Sequence, residues 1–315
     1  LCSSRAPWRV FFFIPVMHYA KPPLSIADQI QKWENRGLII TDKEYVARHL
    51  SNISFYRFRA YTYPFQNNHL LDQPFRPNIT FEQILRYYGF DRELRLIVLD
   101  AIERIEIALR TQVIYQYAIS EGSHWPGNAT LYTNHGRFVH DWNTMQIEIR
   151  RSTEEFIKHY KRTYTSPVDP PSWMSLEVSS LGLLSKLFEN LKTCPEKRAI
   201  ARHFGLGSPD ILASWMHTYS NIRNICAHHG RLWNRILTKS PVLPKRPLAT
   251  PWLTQVGVPS NKLYINLCMM LYVLQQISPG HSIKDELRSL LSAYPEIQTA
   301  QMGFSSTWQE EALWK

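Results

Sequence analysis

Cysteine is scarce in this chain and never closely spaced. Cys2, Cys194, Cys226 and Cys268 are the whole complement in 315 residues, with no C-x-x-C pair. That excludes a disulfide framework and the usual zinc spacings, and it fits a reducing cytoplasm. The phosphate loop GxxxxGK[ST], the dinucleotide fingerprint GxGxxG and the zinc-protease pattern HEXXH are all missing. Internal repeats, coiled-coil heptads and low-complexity tracts are absent as well. Long apolar runs are also lacking. Val10 to Val16 is too short to span a bilayer, and Pro15 interrupts it. Arg5 and Arg9 imitate the start of a signal peptide, but no small-residue cleavage site follows. Residues 1–16 are expected to be an upstream extension, with a weak membrane-surface anchor as the alternative; no membrane partner is expected.

Acidic residues are the minority among the charges. Asp and Glu total 26 against 36 Lys and Arg, so the net charge is +10 and the pI about 9.4. An anionic partner is favoured, nucleic acid before acidic protein or membrane. With 44% hydrophobic and 20% charged residues, the chain is globular and long enough for one large domain or two.

Nearly every long segment has helical period, which predicts an all-α fold. Helices are expected over 25–36 and 42–50, the second capped by Thr41. Residues 55–65 are ambiguous between helix and strand. A long helix, broken near Gly89, is expected from Phe81 towards Ile119, and a charged helix over 140–164. Further helices are expected over 172–191, 195–204, 209–233, 261–277 and 283–292. The predicted organisation is an N-terminal helical segment (17–80) packed on a core (81–292), with a short aromatic tail (293–315).

The most informative run is NIRNICAHHGRLWNR, Asn221 to Arg235. Read as helix, Trp215, Tyr219, Ile222, Cys226, His229 and Trp233 form one mostly apolar stripe. His217, Asn221, Asn224, His228, Arg231 and Arg235 form a polar stripe displaced by two residues. Arg223 lies on the flank, within reach of His228. Asn224 stands one turn before His228, placed to orient its imidazole. A second Arg-x4-His match, Arg198 to His203, reads as accidental in a short basic helix.

Two other groups accompany that run. Glu103, Glu106 and Arg110 share a helix face, either as an exposed ion pair or as a stripe that packs beside Arg223. Arg57 and Arg59 interleave with aromatics in SFYRFRAYTYPF, either as a base-stacking surface or as core. Glu177 is expected to be a buried partner for a basic residue, ahead of a direct catalytic role.

The run RNICAHHGRLWNR resembles the signature of the Abi bacteriophage-resistance family, within the HEPN superfamily of helical ribonucleases. KPPLSIADQIQKWENRGLII, HLSNISFYRFRAYTYPFQ, FDRELRLIVLDAIERIEIALRTQV, PPSWMSLEVSSLGLLSKLFENLK and MGFSSTWQEEALW also resemble it, in order from about Met17 to the end. The last departs by a serine where proline is expected. The resemblance implies a HEPN-like helical bundle and two Arg-x4-His motifs meeting in a homodimer. It implies a metal-independent endoribonuclease toxin of phage defence, with no cofactor. Arg223, Asn224 and His228 would be catalytic. Asn221, His229, Arg231, Arg235, Glu103, Glu106, Arg110, Arg57 and Arg59 would bind RNA or support the site. The rival is an RNA-binding protein that holds a small noncoding RNA without cleaving it.

Overall fold

The computed structural model describes residues 18–245, 248, 252–255 and 257–315. The expectations for residues 1–16 and for Met17 lie outside them. The fold is all-α: the described residues contain no strand, only three isolated bridges. Two compact units form, one ending at Ile84 and the other spanning Leu85–Lys315.

In the first unit, α1 (Ile26–Glu34) is capped by Ser25, whose hydroxyl accepts from the Asp28 N–H. Helix α2 (Lys43–Asn52) is capped by Asp42, not Thr41: the Asp42 carboxylate accepts from the Tyr45 N–H at 2.8 Å. The ambiguous aromatic segment is helical as α3 (Phe55–Thr62), followed by a 3-10 turn. Its aromatics divide. Phe58 and Tyr61 are buried, while Tyr56 and Tyr63 are exposed. Trp33 stacks on Phe55 at 4.6 Å and meets Phe58 and Phe81, so these rings form the core of the unit.

Helix α4 (Phe81–Glu121) opens at a reciprocal cap, Thr80 with Gln83. It runs 41 residues without the expected break at Gly89, about 60 Å at 1.5 Å per residue. A Cβ there would stand 3.4 Å from the Tyr294 hydroxyl, an ordinary contact, so the packing does not require glycine. The local propensity cost is overridden by tertiary packing.

The charged segment is two helices, α5 (His135–Arg151) and α6 (Glu155–Thr163). The Ser152 hydroxyl accepts from the Glu154 N–H at 3.3 Å, a local bond that competes with helix. Likewise, residues 172–191 form a single turn, α7 (Ser172–Ser175), and then α8 (Leu181–Asn190). Helices α9 (Pro195–His203), α10 (Pro209–Ala227), α11 (Leu263–Ile277) and α12 (Ile283–Ala293) follow.

The core of this unit centres on α11, buried at every residue from Leu263 to Leu274. Helix α10 packs against α8, α9 and α11, and α5 packs against α8. The C-terminal residues are part of the core. Trp314 stacks parallel to Tyr264, with Phe304 and Trp308 around them. The Glu311 carboxylate, 3% exposed, accepts from the backbone N–H groups of Thr254 and Gln255.

Candidate functional site at the end of helix α10

Helix α10 starts at Ser208, whose hydroxyl accepts from Asp210 N–H, with Pro209 as its first residue. It stops at Ala227, six residues before the expected end at Trp233. The stop is built from three backbone bonds: His228 N–H to Asn224 O at 3.0 Å, His229 N–H to Cys226 O at 3.0 Å, and Gly230 N–H to Ile225 O at 2.8 Å. The last two define a Schellman motif, with His229 in the left-handed region at φ 56. Glycine usually holds that position. Here the glycine is one residue on, where a Cβ would meet the Ile225 carbonyl at 3.1 Å. A side chain in the left-handed region costs about 1–2 kcal/mol, so this helix end holds some strain.

The two stripes hold only as far as the helix does. Trp215, Tyr219, Ile222 and Cys226 are buried. His217, Arg223, Asn224 and His228 are exposed, and Asn221 is half-buried. Beyond Ala227 the periodic expectation fails because the chain turns. His229 is exposed rather than apolar-facing, and Trp233 reaches the core from the turn. Arg231 and Arg235, expected on the polar helix face, lie half-buried in the turn. The Arg231 guanidinium sits 5.9 Å from the Trp233 ring centroid. Arg235 donates to the Arg231 carbonyl at 3.2 Å. Asn224 meets His228 through its backbone carbonyl, and among the described residues no bond joins its amide to the imidazole.

Arg223 borders a cleft of about 510 Å3, and α4 forms the rest of the lining with Leu99, Ile102, Glu103, Glu106, Ile107 and Arg110. The structure therefore brings the acidic-basic stripe beside Arg223. Within that stripe the roles differ. Arg110 is 6% exposed. Its guanidinium donates to Glu106 at 2.6 Å, to the Ser179 carbonyl at 2.8 Å and to the Leu176 carbonyl. It is a staple between α4 and the α7–α8 loop, with both terminal nitrogens bonded to protein. Glu103 is exposed and Glu106 half-buried. Leu96 and Ile107, apolar and exposed, stand on the same helix.

The turn after α10 is gripped by two residues the sequence reasoning passed over. Asp91 is wholly buried. Its Oδ1 accepts from the backbone N–H of Leu232 at 3.0 Å and of Trp233 at 2.5 Å. Its Oδ2 pairs with the Arg95 guanidinium, which also reaches the Gly230 carbonyl at 3.5 Å. One turn earlier on α4, the Tyr87 ring meets Trp233 edge-on at 4.8 Å. A signal was available. Asp91 interrupts the apolar series Ile84, Tyr87, Leu94 and Val98, with an arginine four residues on.

Other candidates stand elsewhere. Arg57 and Arg59 belong to the first unit, Arg57 half-buried and Arg59 exposed on α3. Glu177 is exposed, not buried; it lines a cleft of about 750 Å3 with Glu148, Arg151 and Phe156. Arg198 and His203 are exposed on α9, so exposure alone does not separate them from Arg223 and His228. The difference lies at the arginine: Arg223 lines the carboxylate-bearing cleft. His217 lines a separate cleft with Glu189, Asp210 and Lys239; burial, then the Lys239 charge, lowers its pKa.

Among the described residues, no group of three or more His, Cys, Asp or Glu is placed to hold a metal ion. No described helix is long and apolar enough to cross a membrane.

Fold and site together define an all-α protein with an exposed histidine at a helix end and, on the same helix, an arginine that lines a carboxylate-bearing cleft. A family model described as Abi-like protein matches residues 48–234. The match covers more than half of the chain, and the chain belongs to that family. It takes in α4, the cleft and the clamped turn. No curated protein matches, and neither does any solved structure.

Proposed function

We propose that this protein is an endoribonuclease of phage defence, of the HEPN type, that cleaves RNA through its own 2′-hydroxyl without a metal. The observation that carries the proposal is Arg223, exposed and lining a cleft with Glu103 and Glu106, with His228 exposed at the C-cap of the same helix. Membership of the Abi-like family supports the defence role, and the net charge of +10 supports a nucleic-acid partner.

The chemistry follows from the side chains. Imidazole exchanges protons near neutral pH. As base, His228 takes the proton of the 2′-hydroxyl, whose oxygen attacks the adjacent phosphorus. The Arg223 guanidinium stabilises the charge on the pentavalent phosphorane. The P–O5′ bond then breaks, the leaving oxygen gains a proton, and the products end in a 2′,3′-cyclic phosphate and a 5′-hydroxyl. One imidazole does not easily serve as base and acid on the same phosphate. A homodimer that pairs two α10 ends supplies the second. Exposed Leu96 and Ile107 on α4, which also lines the cleft, provide apolar area for such a contact. Arg231 and Arg235 act from the turn, and Asn221 and His229 flank the pair.

Purified protein with a single-stranded RNA and excess EDTA tests this. Cleavage with cyclic-phosphate ends, blocked by one 2′-deoxy substitution at the cut, is the expected result. Strict dependence on Mg2+, 5′-phosphate products, or RNA binding without cleavage would refute it; the last outcome would favour the holder of a small noncoding RNA. Light scattering addresses assembly, and a monomer that cleaves at a rate linear in its concentration would remove the composite site.

A further inference from the structure

The turn from His229 to Trp233 is held in an unusual way for a surface turn. The backbone N–H groups of Leu232 and Trp233 both donate to one wholly buried carboxylate oxygen of Asp91. The other oxygen binds Arg95, itself 5% exposed. Burying two charges is costly before their attraction is counted, and apolar residues of the same volume often stabilise as well or better. A buried ion pair is thus a poor device for stability alone, but its hydrogen bonds fix direction.

What it fixes lies directly upstream. His228 is the C-cap of α10 and His229 is held left-handed at φ 56. That strained conformation persists only where the surroundings over-determine it. The grip on Gly230, Leu232 and Trp233 supplies the constraint. It comes from α4, whose next turns line the cleft with Arg223. The same helix thus grips the turn after His228 and lines the cleft that Arg223 borders.

We propose that Asp91, acting through Arg95 and the turn amides, is a positioning residue for the His228 imidazole. The kinetic half of this inference rests on the ribonuclease reading. Its structural half does not.

The test uses the full chain with Asp91→Asn, which keeps an acceptor for the two amides but removes the charge that holds Arg95. Arg95→Lys is the second variant. Asp100→Asn is the control, because it breaks an exposed pair with Arg104 on the same helix. Cleavage kinetics, the ring-proton resonance of His228 and the amide exchange of Leu232 and Trp233 are measured. Both clamp variants should lower kcat about 10- to 100-fold, the scale on which a displacement of about 1 Å acts, with KM held. The His228 resonance should shift or broaden, and the control should change nothing. An unmoved resonance with full kcat, or a rise in KM alone, overturns the proposal. Where a variant does not fold, the unmodified chain decides. The Leu232 and Trp233 amides should exchange as slowly as those of α11, and fast exchange overturns the clamp. If the unmodified chain cleaves no RNA, the ribonuclease reading fails by itself, while the resonance and exchange arms still judge Asp91.

Discussion

Replacing Arg110 separates a structural guanidinium from an RNA-binding one. In Arg110→Met, three hydrogen bonds are lost: to Glu106, to Ser179 O and to Leu176 O. Bonds to a charged group contribute roughly 1.5–3 kcal/mol each, which sets an upper limit well above the net effect. Removing the guanidinium also removes its burial penalty, and the methionine fills most of the space. The Glu106 side chain is 20% exposed, so water relieves part of its stranded charge. The net loss should be about 2–4 kcal/mol, of the order found when a buried pair is broken. For a unit of this size that lowers the melting midpoint by roughly 5–15 °C. Arg110→Lys keeps the charge but not the fork, and should lose less. Urea and thermal unfolding read the stability, and RNA affinity is measured beside them on a 2′-deoxy-blocked substrate. A loss under about 1 kcal/mol, or stability retained with affinity lost, would refute the staple and return Arg110 to the RNA surface.

Other outcomes follow from the same geometry. His229→Gly relieves the left-handed strain and should raise stability by about 0.5–1 kcal/mol, less than the full strain because glycine gains freedom in the unfolded chain; denaturant midpoints check it. The Arg86 guanidinium, 2.5 Å from Glu296, holds that carboxyl below its usual range. The stability this contributes is present above the unfolded carboxylate pKa and is lost as pH falls through the lower folded value. Glu296→Gln should therefore lower the melting midpoint at neutral pH, flatten the acid limb of a melting-against-pH curve, and converge with the unmodified chain at low pH. Burial pushes the Cys226 and Cys268 thiols up to about 12, so iodoacetamide at pH 8 should label neither until denaturant is added, as mass spectrometry will read.

How far the sequence reached is clearest on α10. Period alone separated Trp215, Tyr219, Ile222 and Cys226 from His217, Asn224 and His228, because burial follows the 3.6-residue repeat while the helix lasts. It failed from His229 onward. A Schellman stop is set by backbone bonds and by the contact a Cβ at Gly230 would make, neither of which shows in hydrophobic pattern. The same limit hid the break at Ser152 and the turn between α7 and α8. It also made Gly89 look like a break, where the helix runs on unbroken from Phe81 to Glu121. Glu106 and Arg110 were legible as an i, i+4 pair. That Arg110 faces the carbonyls of Leu176 and Ser179, some 66 residues away, was not. Asp91 and Arg95 were visible as charges in an apolar stripe, but the backbone groups they bind lie 135 to 142 residues on, where no local rule looks.

The central claim is that His228 moves the proton. Its most direct test maps RNA 5′ and 3′ ends after induced expression of the unmodified chain, His228→Ala and His203→Ala. His228 is exposed and outside the apolar stripe, so its replacement should leave the circular dichroism unchanged. New cyclic-phosphate ends and growth arrest should appear with the unmodified chain and with His203→Ala, and neither with His228→Ala. Full cleavage by a folded His228→Ala protein would contradict it.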